Sequence, residues 1–281
     1  MHFAFTEEQQ SIAEAIEAVL STECTPDVVR AAEHKRPTEL WATLAEVGLF
    51  AVNLPEEAGG LGLGMTDLLL ALERCGYHAV PLPITDAVAL GPVLPEAAEV
   101  AEGTMRVCIS VGGLAQDADL AEIPTVLHAS GLARAAGPLT RQASVDRARW
   151  AFSGLQPGEP LAGAAAGVRQ RATLATAAQL LGGARRMLDM ATAYAKARRQ
   201  FGKPIGAQQA VQHRLADALL APFARDGDGA SATELIGLPP ISTLMRLNAI
   251  APIRLSVSSS TATSIRTMSP STHRSRNRAA S

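Results

Sequence analysis

The residues best suited to chemistry lie in one stretch, Arg198-Arg199-Gln200-Phe201-Gly202-Lys203-Pro204-Ile205-Gly206, followed closely by Gln208, Gln209 and His213. Its parts are two arginines at the end of a helical pattern, an aromatic ring, a tight Phe-Gly-x-Pro corner and a group of side-chain amides. Each part alone has an ordinary explanation, since cations at a helix C-terminus simply complement the macrodipole. Together they suit a flat, anionic ligand with a pyrophosphate. A guanidinium can pair two phosphate oxygens at once, and the amides can reach other polar groups of the same molecule. A second candidate, Gly59-Gly60-Leu61-Gly62-Leu63-Gly64, has the glycine content of a phosphate cradle. Such a cradle follows a strand and opens a helix. Here a helical pattern precedes it and no Lys-Ser/Thr follows, so it reads as a loop between helices. Cys24, Cys75 and Cys108 are spaced for neither a disulfide framework nor a metal site, and read as buried free thiols.

These residues need elements to hold them. Thr6 with Gln9 three residues on forms a capping-box pattern ahead of Ile12, Ile16, Val19 and Leu20. Pro37-Thr38-Glu39 opens a second helix through Leu40, Trp41, Leu44 and Val47, which Gly48 ends. Further helices are expected from Thr66 to Tyr77, with Leu68, Leu69, Leu72 and Cys75 inward, and from Ile84 to Leu90. Near Met105 the period shortens, and Met105–Val111, Pro124–His128 and Arg149–Phe152 read as strands. The helical pattern returns from Val168 to Arg199, where Leu174, Ala178, Leu181, Arg185, Leu188 and Thr192 mark one face. Ala210, Val211, Arg214, Leu215, Ala218 and Leu219 mark the next helix. Beyond Pro222 periodicity fails, and the Ser/Thr/Arg/Pro-rich end reads as disordered.

A hydrophobic content of 47% supports a real core, while aromatics at 4% and abundant alanine favour helices packed through small side chains. The net charge of −2 makes no case for nucleic acid. Its distribution is uneven: Leu235 to Ser281 carries six arginines and no Asp, Glu or Lys, which leaves −8 upstream. That basic end lacks lysine and interleaved aromatics, so nucleic-acid binding is not expected there either. The first residues have no basic n-region, and no apolar run approaches the ~20 residues of a membrane span. A cytoplasmic protein with no membrane association is expected.

The full string Tyr194-Ala-x-x-Arg198-x-Gln200-Phe201-Gly202-x-Pro204-Ile205, then Gln209-Ala210-Val211-Gln212-His213-x-Leu215-Ala216-Asp217, resembles the flavin-contacting segment of the acyl-CoA dehydrogenase family. Leu40-Trp41-x-x-Leu44-Ala45-x-x-Gly48-Leu49, Leu54-Pro55-Glu56-Glu57-x-Gly59-Gly60-Leu61-Gly62 and Leu72-Glu73-x-Cys75-Gly76 are similar to that family's first helical domain. The resemblance covers residues 1–100 and 165–220. It implies a mainly α chain: a helical N-terminal domain over 1–104, a short, degenerate β-rich middle region over 105–164, an incomplete C-terminal helical bundle over 165–221, and a disordered basic tail over 222–281. It also implies FAD, fatty-acid and lipid breakdown, an acyl-CoA-dehydrogenase-type partner subunit or a second copy, and electron-transfer flavoprotein as the electron acceptor of an active enzyme. By resemblance, Arg198 and Gln209 would touch the diphosphate and adenine end of a flavin held mainly by the neighbouring subunit. Gln200 belongs to the same contact, and Phe201 would pack beside it.

The chain also departs from the family pattern. The family's reaction takes the α-hydrogen of an acyl-CoA as a proton with a glutamate base, while the β-hydrogen leaves as hydride to the flavin. Most members carry that Glu late in the bundle, where this chain has its Ser/Arg end. A minority carry it near the start of the long helix, and the ungapped spacing puts that position at Ala172, with Arg171 and Thr173 beside it. No catalytic residue is therefore assigned. The family's Thr/Ser-Glu-x-x-x-Gly-Ser-Asp string is replaced by Ser110-Val-Gly-Gly-Leu-Ala-Gln-Asp117-Ala-Asp119. The loss of pattern after Leu220 fits either a natural disordered end or a gene read out of frame. The expected role is a non-catalytic subunit that helps form a partner's FAD site. The alternatives are a competent dehydrogenase with an unrecognised base, and a non-enzymatic relic or interaction module.

Overall fold

The computed structural model describes residues 5–128, 131–163 and 165–220. The expected tail over 222–281, and with it the choice between a disordered and an out-of-frame end, lies outside the described residues.

Helix α1 (Glu7–Glu23) begins as its capping box dictates: Gln9 N donates to Thr6 Oγ1 and Thr6 N to Gln9 Oε1. The short α2 (Pro26–Ala31), with Pro at its first turn and Thr25 as cap, was not read from the sequence. In α3 (Thr38–Glu46), Leu40, Trp41, Leu44 and Ala45 are buried, and Gly48 leaves the helix at φ 88°. Trp41 stacks on Phe50 with ring centroids 4.1 Å apart, and its indole N–H donates to Gly103 O. Helix α4 (Met65–Tyr77) buries Leu68, Leu72 and Cys75 as expected, with Leu69 half-buried. Then come α5 (Ile84–Leu90) and the short α6 (Ala97–Ala101).

The middle region holds seven strands where three were expected. They are β1 (Val107–Val111), β2 (Leu114–Gln116), β3 (Ile123–His128), β4 (Gly131–Ala136), β5 (Thr140–Gln142), β6 (Ala151–Ser153) and β7 (Gln156–Pro160), in the order β5-β6-β2-β1-β3-β4-β7. Strands β1 and β2 form a hairpin through Gly112 and Gly113, at φ 62° and 84° as a two-residue turn requires. Strand β3 lies parallel to β1, and all the other neighbours are antiparallel. The strands missed from the sequence are three to six residues long and include Gly-Leu-Ala-Arg-Ala-Ala and Gln-Pro-Gly-Glu-Pro, which show no alternation.

Helix α7 (Ala165–Ala197) is the spine of the C-terminal part, and α8 (Gln209–Leu220) follows it. Its inward face differs from the expected stripe. Val168, Ala172, Ala175, Ala178 and Gly182 are buried, while Leu181 is exposed. The cause is the close approach of α4. A Cβ on Gly182 would sit 1.9 Å from Glu73 O, and one on Gly76 would sit 1.9 Å from Gln179 O. Side chains larger than hydrogen cannot fit at these crossings, so the small-residue face packs inward in place of the leucine face.

Candidate functional site

Helix α7 ends in a turn whose geometry is fixed by local hydrogen bonds. Arg198 N donates to Tyr194 O at 2.8 Å, and Ile205 N donates to Arg198 O at 2.8 Å. Between them β8 (Arg199–Gln200) and β9 (Lys203–Pro204) pair through a two-residue tip in which both Phe201 (φ 50°) and Gly202 (φ 81°) are left-handed. A phenylalanine in that region is unusual outside a forced turn. The segment is pinned back on α7 at Gly206, where a Cβ would meet Ala195 O at 3.0 Å. Gln208 O then accepts from Val211 N and Gln212 N as α8 begins.

The structure thereby places Arg198, Gln200, Phe201 and Gln209 in one short corner at the tip of α7. All four are exposed, Phe201 at 91%. Their side chains make no hydrogen bond or ion pair among the described residues. The Arg199 guanidinium, by contrast, is used internally on Gly202 O at 3.2 Å. The corner is an open edge of cation, amide and aromatic ring, able to touch an anionic, planar ligand from one side.

The other sequence candidates resolve as follows. Every amide from Gly59 to Gly64 is already bonded: Gly59 to Glu56 O, Gly60 to Pro55 O, Leu61 to Ala51 O, Gly62 to Leu54 O, Leu63 to Val52 O and Gly64 to the Asp67 carboxylate. No N–H remains for a phosphate, and the loop is structural. Ala172 is buried in the main core, between an Arg171 whose Nε donates to Ala89 O and a Thr173 whose hydroxyl donates to Arg169 O. No carboxylate stands at that position. Asp117 does not line an open site either, and the exposed Asp119 lies 3.7 Å from the Arg36 guanidinium. Asp117 is fully buried and accepts from the Arg36 and Arg149 guanidinium groups and, at 3.1 Å, from Trp150 N. Cys24, Cys75 and Cys108 are free and buried. Burial pushes the Cys24 thiol up to about 11 and the Cys75 thiol up to about 12, and raises Cys108 too.

One perturbed carboxyl escaped the sequence reading. Asp86 on α5 is buried, its Oδ2 accepts from Ile109 N on β1 at 2.9 Å, and burial raises it to about 7. A base is expected to have such a value, but Asp86 is sealed at the joint of α5 and β1, so it reads as a structural tie. Nothing in Pro-Ile-Thr-Asp distinguishes it from a surface helix-start aspartate. No helix among the described residues is long and apolar enough to cross a membrane.

Comparison with known proteins agrees with this architecture. The family models described as acyl-CoA dehydrogenase, N-terminal domain, and acyl-CoA dehydrogenase, C-terminal domain, match residues 6–98 and 169–221. The chain is 32% identical over 232 residues to the acyl-CoA dehydrogenase IpdE2 of Mycolicibacterium smegmatis, covering 75% of this chain and 72% of the relative. Among solved structures it is similar to the Tcur3481-Tcur3483 steroid ACAD G363A variant, with TM-score 0.65, 26% identity and coverage of 82% of this chain and 81% of that one. It also shares its fold with a chain of the ChsE4-ChsE5 complex from Mycobacterium tuberculosis, with TM-score 0.65, 22% identity and coverage of 80% and 75%.

Proposed function

The chain belongs to the acyl-CoA dehydrogenase family, whose kind of chemistry is FAD-dependent dehydrogenation, and we propose that it is the non-catalytic member of a flavin-dependent assembly. The observation that carries this reading is the exposed corner of Arg198, Gln200, Phe201 and Gln209, whose side chains have no hydrogen-bond or ion-pair partner among the described residues, set against a buried alanine at position 172. Those residues fit one edge of FAD. The Arg198 guanidinium is suited to the diphosphate, the two glutamine amides to polar groups of the nucleotide end, and Phe201 to packing beside them. They do not enclose a ligand, so the reading gives the main FAD site to a neighbouring subunit. Bound FAD supplies the hydride acceptor for desaturation of an acyl-CoA. What this chain contributes is charge neutralisation and orientation at the cofactor's distal end.

Two structural neighbours, the Tcur3481-Tcur3483 steroid ACAD and the ChsE4-ChsE5 complex, are two-component proteins by name, which supports an acyl-CoA-dehydrogenase-type partner over a second copy. Electron-transfer flavoprotein is the acceptor such an assembly would use. The test is the visible spectrum of the full chain alone and after co-purification with a candidate FAD-binding acyl-CoA dehydrogenase subunit, before and after acyl-CoA is added. Flavin absorbance in the mixture only, bleached by acyl-CoA, is the expected result. Flavin bound and bleached by this chain alone would restore a competent enzyme. Flavin unchanged by the chain's presence in any mixture would leave a non-enzymatic role.

A further inference from the structure

A cavity of about 340 Å³ opens between the linker that joins α2 to α3 and the loop that joins β5 to β6. Its walls are pinned to one another. Arg36 Nη1 donates to Ala148 O at 3.0 Å, Arg147 pairs with Glu33 at 3.2 Å, and Trp150 N donates to Asp117 Oδ1 at 3.1 Å. The polar groups on these walls divide into two sets. In the first, the Gln142 amide is spent on Ser153 Oγ at 2.7 Å, the Arg149 guanidinium on Asp117 and the Glu33 carboxylate on Arg147. Asp146 Oδ1 closes its own turn by accepting from Ala148 N at 3.0 Å. The second set consists of three donors with no acceptor. The Ser144 hydroxyl and the Trp150 indole N–H are buried and have no hydrogen-bond partner among the described residues. The Arg141 guanidinium lies 3.7 Å from the centre of the Trp150 ring and makes no hydrogen bond or ion pair among the described residues.

We infer that this cavity is a binding site for a small organic monocarboxylate. A buried donor without an acceptor costs free energy, and two of them on one cavity wall call for an acceptor from outside the chain. Stacking on the indole occupies the flat face of the Arg141 guanidinium and leaves its N–H edge free. That edge is the fork that pairs both oxygens of a carboxylate. Ser144 and Trp150 then supply the remaining hydrogen bonds to the same group. Charge selects a monoanion. Arg141, Arg147 and Arg149 against Glu33 and Asp146 leave the lining with one positive charge when His34 is neutral. A dianion such as sulfate would set its second charge against the two wall carboxylates. No residue of the Arg198 corner lines the cavity, so this site stands or falls separately from the flavin reading.

The test is an NMR titration of the full-length chain, isotope-labelled at its two tryptophans, with lactate in carboxylate-free buffer at fixed ionic strength. The Trp150 indole N–H signal is expected to move downfield and saturate with a dissociation constant of about 1 mM, the strength open to so small a ligand. The Trp41 signal is expected to stay in place, because its N–H already donates to Gly103 O at 3.0 Å, and it reports an intact fold in every variant. Lactamide, which lacks the charge, and sulfate, which has too much, are each expected to bind at least about tenfold more weakly. Arg141→Gln, on the edge strand β5, is expected to weaken lactate about tenfold or more, and Ser144→Ala about threefold to tenfold. Arg141→Lys keeps the charge without the fork and should recover only part of the loss. The inference is overturned by a Trp150 signal that has not moved at about 50 mM lactate. It is equally overturned by lactamide or sulfate binding as tightly as lactate, or by lactate binding unchanged in Arg141→Gln.

Discussion

Asp86 illustrates how one buried proton couples to the whole fold. Its carboxyl is raised to about 7 by burial, so between about pH 4 and 7 the folded chain keeps a proton that the unfolded chain has released. The stability this group contributes is full below its unfolded value and is lost as pH rises through 7, at a slope of up to roughly 1.4 kcal/mol per pH unit. Asp86→Asn preserves an acceptor for Ile109 N and removes the charge. The melting temperature of the variant minus that of the wild type is expected to grow from pH 4.5 to 7.5 and then level. A difference that stays flat would show that Asp86 titrates normally. At the tip of α7 the expectation concerns binding. Arg198→Ala removes a charge-assisted contact worth about 1.5–3 kcal/mol, so flavin retained in a mixture with the catalytic subunit should fall by roughly tenfold to a hundredfold on dialysis. Gln209→Ala should have the smaller effect of a neutral amide. Equal retention by wild type and Arg198→Ala would remove this residue from the cofactor contact.

Among the elements, the crossing of α4 and α7 sets the most constrained geometry. Gly182→Ala places a methyl carbon 1.9 Å from Glu73 O, which only separation of the helices can relieve. A cost of about 1–3 kcal/mol is expected, read as a lower urea midpoint with unchanged slope. Gly183→Ala, whose Cβ would lie 3.7 Å from Gly76 O, should be close to neutral and serves as the control. This crossing also explains what was legible beforehand. Helices announced by local chemistry, such as the Thr6–Gln9 box and the Pro37 start, are visible in the sequence because their causes lie within a few residues. The face that α7 turns inward is not, because Gly76 and Glu73, a hundred residues away, decide it. The corner proposed for the flavin contact is a local structure for the same reason, since Arg198 to Gln209 is a continuous string closed by its own backbone bonds. The short strands β2, β4, β5 and β7 were not legible, because their pairing partners, not their residue pattern, make them strands.

Considered as one molecule, the helical layer and the sheet are joined by a charge cluster whose members are far apart in sequence. Arg36 precedes α3, Asp117 follows β2, and Arg149 precedes β6, with Arg36 also near Asp119 at 3.7 Å and over the Trp150 ring at 5.1 Å. Asp117→Ala leaves the Arg149 guanidinium without its ion-pair partner and Arg36 with Asp119 alone, and is expected to destabilise by up to about 3–5 kcal/mol. Its unfolding should remain a single transition if layer and sheet share one cooperative unit. Two separated transitions in the wild type would show that the cluster is a hinge instead. Asp117 could not be weighed from the sequence alone, where Asp117-Ala-Asp119 only marks a departure from a family string. The 33-residue α7 has one further mechanical consequence. The helix is held to α4 from the Gly182 crossing as far as Asp189, whose carboxylate accepts from Tyr77 OH at 2.9 Å, and Arg198 lies about 14 Å beyond that last tie at 1.5 Å per residue. It is a cantilever: a tilt of about 4° at the clamp swings Arg198 by about 1 Å, as much as a positioned contact tolerates. The accuracy of the proposed contact is thus set along the α4–α7 crossing.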